Sequence, residues 1–116
     1  MKNLMSIDLE DWFNVSNFDE LIPRDEWEGC ELRVVESTRR VLDLLKTHDT
    51  HATFFVLGWV AERVPDLVSE VAAQGHEIAC HGYGHRRLTQ MSPEAFDEDL
   101  GRALDQLRAL SEAPVE

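Results

Sequence analysis

Residues 52–57 read ATFFVL, and this stretch decides the fold class of the 116-residue chain. β-Branched and aromatic residues fill it and almost nothing in it is polar, which is typical of a strand buried on both faces. Such strands occur in parallel sheets, where helices cover the faces of the sheet. Gly58 then ends the apolar run. The stretch therefore predicts one strand of an α/β protein.

Strands and helices are expected on both sides of this stretch. Short apolar runs predict two further strands, at residues 3–7 and at Glu77–Cys80. Apolar residues at helical spacing predict helices over 34–48 and 59–74. Within the second of these, Pro65 begins a new helical part. Gly75 then caps its end.

A further helix begins near the end of the chain. Ser92 is its expected N-cap and Pro93 lies in its first turn. Its apolar stripe consists of Phe96, Leu100, Leu104, Leu107 and Leu110. About three parallel strands alternating with helices make an α/β fold. We interpret this partial, open sheet as part of a larger (β/α) barrel, with residues 1–116 as the N-terminal part of one domain. An open parallel edge also predicts self-association through it.

The composition excludes one class of partner. Asp and Glu number 23 against 11 Lys and Arg, which gives a formal net charge of −12. Nucleic-acid binding needs a positive field from Lys and Arg, so no nucleic-acid partner is expected.

The sequence also carries expectations about localisation. No stretch approaches the roughly 20 apolar residues of a membrane span, and the first residues lack the apolar run of a secretory signal. Cys30 and Cys80 have no CxxC spacing, so we expect two free thiols in a reducing compartment. Cytoplasmic localisation follows as the prediction.

Titratable side chains cluster where the first and third predicted strands end. Asp8, Glu10 and Asp11 follow the first strand, while His81 and His85 follow the third. Because the carboxyl ends of parallel strands lie at one edge of a sheet, these side chains are expected to meet there. Two imidazoles and a carboxylate suit zinc or a similar divalent ion and leave a position open for water. The pattern therefore predicts a metal centre.

The tryptophans allow two interpretations. Trp12, Trp27 and Trp59 could line a sugar-binding groove, because aromatic rings pack on the apolar faces of sugars. Buried packing is the alternative, given the large apolar area that each ring can bury. Trp12 and Trp59 are the residues that we predict to contact substrate.

Three stretches of the chain resemble the NodB-homology polysaccharide deacetylases (carbohydrate esterase family 4), and most closely the branch associated with bacterial exopolysaccharide loci. These stretches are SIDLEDWF at 6–13, ATFFVLGWVAE at 52–62 and GHEIACHGYGHRRL at 75–88. They resemble the family's opening acid motif, its ATFFV strand and its HxxxH metal motif. Their order and spacing make the resemblance specific.

The resemblance implies a role for each matching residue. Asp8 would be the general base, and His81 and His85 would bind the metal, for which zinc is our prediction. The family usually has two adjacent acids, the second of which binds metal, whereas Leu9 separates the acids here. Either Glu10, which shares a strand face with Asp8, or Asp11, if the chain turns after Leu9, would supply the carboxylate ligand.

The activity implied by the resemblance is metal-dependent hydrolysis of N-acetyl groups on a polysaccharide. The family's remaining motifs, including the late histidine that protonates the leaving amine, would lie beyond residue 116. We therefore expect the isolated chain to be inactive or nearly so. Two rival interpretations are a metal-independent amide hydrolase of a small cyclic substrate, on the same barrel, and a non-catalytic carbohydrate-binding module.

Overall fold

The computed structural model of the protein describes residues 3–115. Its strands are β1 (Ser6–Leu9), β2 (Thr53–Val56) and β3 (Glu77–Cys80). Its α-helices are α1 (Val34–Thr47), α2 (Gly58–Arg63), α3 (Pro65–Ala73) and α4 (Pro93–Leu110). Short 3₁₀ helices span Ser16–Phe18, Arg24–Gly29 and Leu88–Gln90. No helix within this range is long and apolar enough to cross a membrane.

The three strands form one parallel sheet in the order β1-β2-β3. The predicted α/β class, with parallel strands alternating with helices, is confirmed. In the register of the sheet, Val56 of β2 lies between Leu9 of β1 and Cys80 of β3. Each outer strand has a single strand neighbour among the described residues. Self-association through such an edge stays a prediction.

The first strand begins later than its apolar pattern predicts. We expected residues 3–7, whereas β1 spans Ser6–Leu9 and Leu4 is 95% exposed. The bounds are set by pairing, since Ser6 lies opposite Thr53, where β2 begins. An apolar run locates a strand, but its partner determines which residues of the run enter the ladder.

The central strand is buried on one face and half-buried on the other. Phe54 and Val56 are fully buried in the core, whereas Thr53 and Phe55 on the opposite face are only partly covered. The prediction of burial on both faces is therefore wrong for the described residues. The core cluster that joins helix side chains to the sheet contains Phe54 and Val56, and it leaves their strand neighbours outside.

The helices follow the expected spacing, and α1 and α3 each end one residue before the predicted ends at 48 and 74. Pro65 is the first residue of α3, and Gly75 follows that helix with a φ of +85°, in the left-handed region that glycine adopts without strain. The Ser92 hydroxyl accepts a hydrogen bond from the backbone N–H of Ala95 at 3.1 Å, which caps α4. The apolar stripe of α4 is buried at Leu107 but not at Phe96, which is 40% exposed.

Side chains order the long segment between β1 and α1 although it has little regular structure. Phe13, Trp27 and Trp59 pack against one another with ring centroids 5.3–5.9 Å apart. All three rings are buried. Aromatic pairs in tilted or edge-on contact are favourable beyond the area that they bury. This cluster attaches the segment to the start of α2.

Gly58 lies where α2 approaches two other elements most closely. A Cβ atom there would lie 2.8 Å from Cδ2 of Tyr83 and 3.0 Å from the Cα of Ala103. We predict that Gly58→Ala lowers the free energy of unfolding by about 1–3 kcal/mol, since core overpacking has that cost. Urea denaturation of the purified chain measures the change.

Gly101 supplies the matched control for this substitution. It lies in α4 with no atom within 4 Å of an added Cβ. Gly101→Ala should stabilise the chain by about 0.5–1 kcal/mol, because alanine favours a helix over glycine. Equal stability changes in the two variants would contradict the predicted cost of overpacking at Gly58.

His76, just before β3, makes the stability depend on pH. Its side chain is buried, and Nδ1 accepts a hydrogen bond from the backbone N–H of Ala52 at 3.2 Å. Burial, with a smaller contribution from the charge of His51, lowers the pKa of His76. The unfolded chain therefore binds the proton more tightly than the folded chain does, and stability rises with pH in this range.

We predict that the stabilisation is complete above about pH 6.5, the ordinary histidine value, and is lost as the pH falls below it. Urea midpoints recorded across this range should show the loss. In His76→Gln the dependence should flatten, because an amide does not titrate here. His48→Gln, at an exposed histidine, should keep it. A wild-type pH slope in His76→Gln would contradict the prediction.

Candidate metal centre

Three predicted site residues meet at the carboxyl edge of the sheet. The Oε2 atom of Glu10 lies 3.8 Å from Nε2 of His81 and 3.4 Å from Nε2 of His85. The two imidazole rings are stacked, with centroids 4.9 Å apart. Within residues 3–115, these side chains form the only group of three or more that could hold a metal ion.

The donor atoms fit a divalent cation. Two ligand atoms at about 2.1 Å from a tetrahedral zinc ion are about 3.4 Å apart, close to the observed spacings. Oε2 of Glu10 is buried and has no hydrogen-bond partner among the described residues. A buried carboxylate oxygen without a partner is unfavourable, and a cation would satisfy it. One carboxylate and two imidazoles also leave a coordination position open.

Strand ends and one tight loop hold these ligands. Glu10 directly follows β1, and His81 directly follows β3, where its N–H donates to the carbonyl of Val56 at 3.1 Å. His85 lies four residues later, and its φ of +52° is in the left-handed region. Gly82, at φ +72°, allows the chain to turn between the two histidines.

Two residues that sequence reasoning missed hold this loop. The Asp99 carboxylate on α4 accepts hydrogen bonds from the N–H groups of Tyr83 at 2.7 Å and Gly84 at 3.2 Å. Arg24 donates to the carbonyls of Gly84 at 2.8 Å and His85 at 3.0 Å. Asp99 is distant from the loop in sequence, and Arg24 more so. No local pattern in the sequence could therefore have identified either one.

The structure does not place the carboxylate of Asp11 in the ligand group. Its oxygens accept three backbone hydrogen bonds, from Trp12 at 2.8 Å, Arg33 at 2.8 Å and Val34 at 3.0 Å. The residue is buried, with only 3% of its surface exposed. Asp11 therefore caps the start of α1, where a negative charge is favourable. Of the two alternatives, the geometry favours Glu10 as the carboxylate ligand.

Asp8 lies on β1, two residues before Glu10. Alternation along the strand directs its side chain to the face opposite Leu9, which is buried in the core, and leaves Asp8 exposed. Asp8, Glu10 and Trp12 together line a cavity of about 260 Å³. A carboxylate in that place can accept a proton, and its role as a general base stays a prediction.

The three tryptophans differ in accessibility. Trp12 is 40% exposed, so part of its indole is accessible, while its Nε1–H donates to the carbonyl of Glu31 at 3.0 Å and the Arg33 guanidinium lies over the ring, 5.3 Å from the centroid. Trp59 is only 6% exposed and Trp27 only 1%, because both belong to the aromatic cluster described above. The substrate contact predicted for Trp59 is therefore not supported, since core packing covers its ring.

Burial shifts the pKa values of two further residues, Cys80 and Tyr83, which are close to the histidines in sequence. Burial raises the pKa of the Cys80 thiol, so the thiol is protonated at neutral pH in the metal-free chain. Burial, reinforced by a hydrogen bond to Glu62, also raises the pKa of Tyr83. Tyr83, which lies between the two histidines in sequence, therefore remains a neutral phenol, and its ring lies beneath the Arg102 guanidinium. His81 and His85 themselves line a second cavity, of about 580 Å³.

The fold and the site together define an α/β protein with a candidate metal centre at the carboxyl edge of its sheet. The chain belongs to the polysaccharide deacetylase family, whose model matches residues 17–116. That match contains both histidines and begins after Asp8 and Glu10. The assignment of Asp8 and Glu10 to the site therefore rests on their positions on and directly after β1, and not on the family match.

Several known proteins are similar to the chain. It is 35% identical over 77 residues to a peptidoglycan-N-acetylglucosamine deacetylase of Bacillus cereus. This aligned stretch covers 66% of this chain and 28% of that protein. It is also 44% identical over 63 residues to a chitooligosaccharide deacetylase of Rhizobium leguminosarum bv. trifolii. This second alignment covers 54% of this chain and 29% of that protein. The chain thus spans less than a third of these relatives.

The fold is also similar to solved structures. A crystal structure of a peptidoglycan N-acetylglucosamine deacetylase superposes with a TM-score of 0.70 at 26% sequence identity. The superposition covers 94% of this chain and 41% of that one. The predicted family and the deacetylase type of fold are therefore confirmed. That residues 1–116 form the N-terminal part of one domain stays a prediction.

The two neighbouring acids should respond differently to neutralisation. We predict that Glu10→Gln abolishes stoichiometric zinc binding with little loss of stability, because it removes a ligand. Asp11→Asn should retain zinc binding but lower the free energy of unfolding by about 1–3 kcal/mol, because it weakens charge-assisted hydrogen bonds to the backbone. Isothermal titration with zinc and urea denaturation measure the two effects. The reverse pattern would make Asp11 the ligand.

Proposed function

We propose that the protein is a metal-dependent polysaccharide deacetylase, and that this chain supplies the metal ligands and the general base. The observation that carries the proposal is the meeting of Glu10, His81 and His85 at the carboxyl edge of the sheet. Ligand sites of parallel α/β folds gather at that edge. Family membership adds the reaction class.

The proposed reaction is hydrolysis of an amide. The oxygen of a water molecule forms a bond to the acetyl carbon, the carbon–nitrogen bond breaks, and acetate and a free amine on the sugar result. Asp8 accepts a proton from the water, for which its exposed carboxylate on β1 is suited. A bound divalent ion would act as a Lewis acid toward the carbonyl and the water.

Zinc is the metal that we propose. Its usual catalytic sites have three protein ligands drawn from histidine and carboxylate, with the fourth position open. Glu10, His81 and His85 match that set in number and type. The Cys80 thiol lies outside this group of three, so the donors are nitrogen and oxygen atoms only.

The proposed substrate is an N-acetylated sugar polymer. The names of the relatives specify N-acetylglucosamine in peptidoglycan and chitooligosaccharide, respectively. Trp12 is exposed beside Glu10 and offers an aromatic surface on which a sugar ring could pack. The resemblance of the sequence motifs to the branch associated with exopolysaccharide loci adds an exopolysaccharide to the candidate polymers.

We further propose that the 116-residue chain alone turns over little substrate. Protonation of the leaving amine needs a general acid, and the remaining histidines lie away from the centre. His51 and His76 contact each other, and His76 precedes β3, at the opposite edge of the sheet. His48 follows α1 on the approach to β2. The matched relatives are more than three times as long as the aligned part.

A deacetylase assay tests this proposal. Chitooligosaccharides and N-acetylated peptidoglycan fragments are incubated with the chain and with a longer version that extends past residue 116, and released acetate is measured. We expect zinc-dependent turnover by the longer version, lost on chelation and restored by zinc. Asp8→Asn in that version should lower kcat by about 100-fold or more, in the range of general-base contributions.

Each rival function predicts a different result. Turnover that survives chelation and His81→Ala would favour the metal-independent amide hydrolase. Sugar binding that needs Trp12, without release of acetate by any version, would favour a carbohydrate-binding module. Undiminished turnover in Asp8→Asn would remove Asp8 from the mechanism. Comparable turnover by the short chain would refute its proposed dependence on later residues.

A further inference from the structure

The backbone of His85 has a conformation that needs external support. Its φ of +52° is in the left-handed region, which is uncommon for a residue with a Cβ atom. Such residues persist only where the surrounding structure holds them in place. This conformation also determines the direction in which the imidazole leaves the chain. The orientation of this candidate ligand therefore depends on whatever holds residue 85.

Backbone and carboxylate groups hold the first part of the loop. The N–H groups of Gly58 and Trp59 donate to the carbonyls of Gly82 at 2.9 Å and Tyr83 at 3.1 Å. Asp99 accepts from the two N–H groups that follow Gly82. These bonds account for residues 82–84 and do not involve the carbonyls of residues 84 and 85.

Arg24 binds the carbonyls on both sides of the His85 Cα atom. Its Nε–H donates to the Gly84 carbonyl at 2.8 Å, and its Nη2–H donates to the His85 carbonyl at 3.0 Å. These two carbonyls belong to the peptide planes whose relative rotation is set by φ and ψ of residue 85. A guanidinium is planar and rigid, so binding both oxygens at once fixes that rotation.

Arg24 is itself held before it reaches the loop. It is the first residue of the 3₁₀ helix Arg24–Gly29, and its Nη1 atom lies 3.4 Å from the Asp19 carboxylate. Its guanidinium lies over the ring of Trp27, 5.5 Å from the centroid. Trp27 is buried in the aromatic cluster. The core of the protein thus fixes the position of this cation.

We propose that Arg24 is a positioning residue for the metal centre, which holds His85 in its left-handed conformation and keeps the imidazole within reach of Glu10. The inference rests on the metal site put forward under Proposed function. It assigns a role to a residue that lies 61 positions before His85 in the sequence. Lysine cannot replace it, because an ammonium group lacks the rigid pair of donors.

Metal titration of the 116-residue chain tests the inference without an activity assay. Cobalt(II) is titrated into the wild type, Arg24→Gln, Arg24→Lys and the control Arg40→Gln, and its d–d absorption spectrum is recorded. Zinc affinity is then measured by competition with a chelator. Arg40 is a suitable control because it is exposed on α1 and paired only with Glu36 among the described residues.

We expect Arg24→Gln to weaken cobalt and zinc binding by about 10–100-fold, the usual range for residues that orient metal ligands. Arg24→Lys should be weakened at least about 10-fold although it keeps the charge, which separates geometry from electrostatics. Both should show an altered cobalt spectrum, because the coordination geometry changes. Arg40→Gln should match the wild type in affinity and spectrum.

Three results would overturn the inference. Wild-type affinity and spectrum in Arg24→Gln would show that His85 is oriented without Arg24. Unfolding of both metal-free Arg24 variants, followed by near-ultraviolet circular dichroism, would make the residue part of the fold rather than of the centre. Absence of cobalt and zinc binding by the wild type would refute the proposed function as well, which distinguishes that failure from the first two.

Discussion

The parallel pairing of β2 with a strand on each side is the constraint on which the site depends. It aligns Leu9, Val56 and Cys80 across the sheet, so the chain leaves β1 and β3 at the same edge. Neighbouring strands are about 4.8 Å apart, so the backbones of β1 and β3 are separated by about 9.6 Å. Glu10 and the two histidines lie just after these strands, and their side chains close the gap, with Oε2 of Glu10 3.4–3.8 Å from the two imidazole Nε2 atoms.

Hydrogen bonds from charged side chains to the backbone stabilise the irregular segments around this edge of the sheet. Asp11 accepts three N–H groups at the start of α1, and Asp99 accepts two in the histidine loop. Arg24 performs the complementary task by donating to two carbonyls. Backbone polar groups that are not in helices or strands need partners, and bonds to charged side chains are the strongest available. These three charged side chains near the site therefore hold the backbone in place and have no direct part in the proposed reaction.

The comparison of sequence and structure is informative where the two differ. The α/β class, the bounds of β3 and the meeting of strand-end acids with histidines were predictable, since each follows from local pattern and parallel topology. The choice between Glu10 and Asp11 was not predictable, because both acids follow the same strand. Whether a tryptophan is buried or exposed was likewise open, since an aromatic ring suits either environment. These questions depend on contacts between segments that are distant in sequence.

The sequence by itself determined the order of strands and helices, the caps at Ser92 and Gly75, and the set of side chains able to bind a metal. Periodicity, turn chemistry and residue type are local properties, and local energetics suffices for them. Only the tertiary structure decided that Asp11 caps a helix while Glu10 faces the histidines. It alone placed Arg24 against the carbonyls of the His85 loop. The physical reason is that hydrogen-bond partners of an irregular backbone are chosen by proximity in space, which becomes defined only when the sheet and the aromatic cluster have assembled.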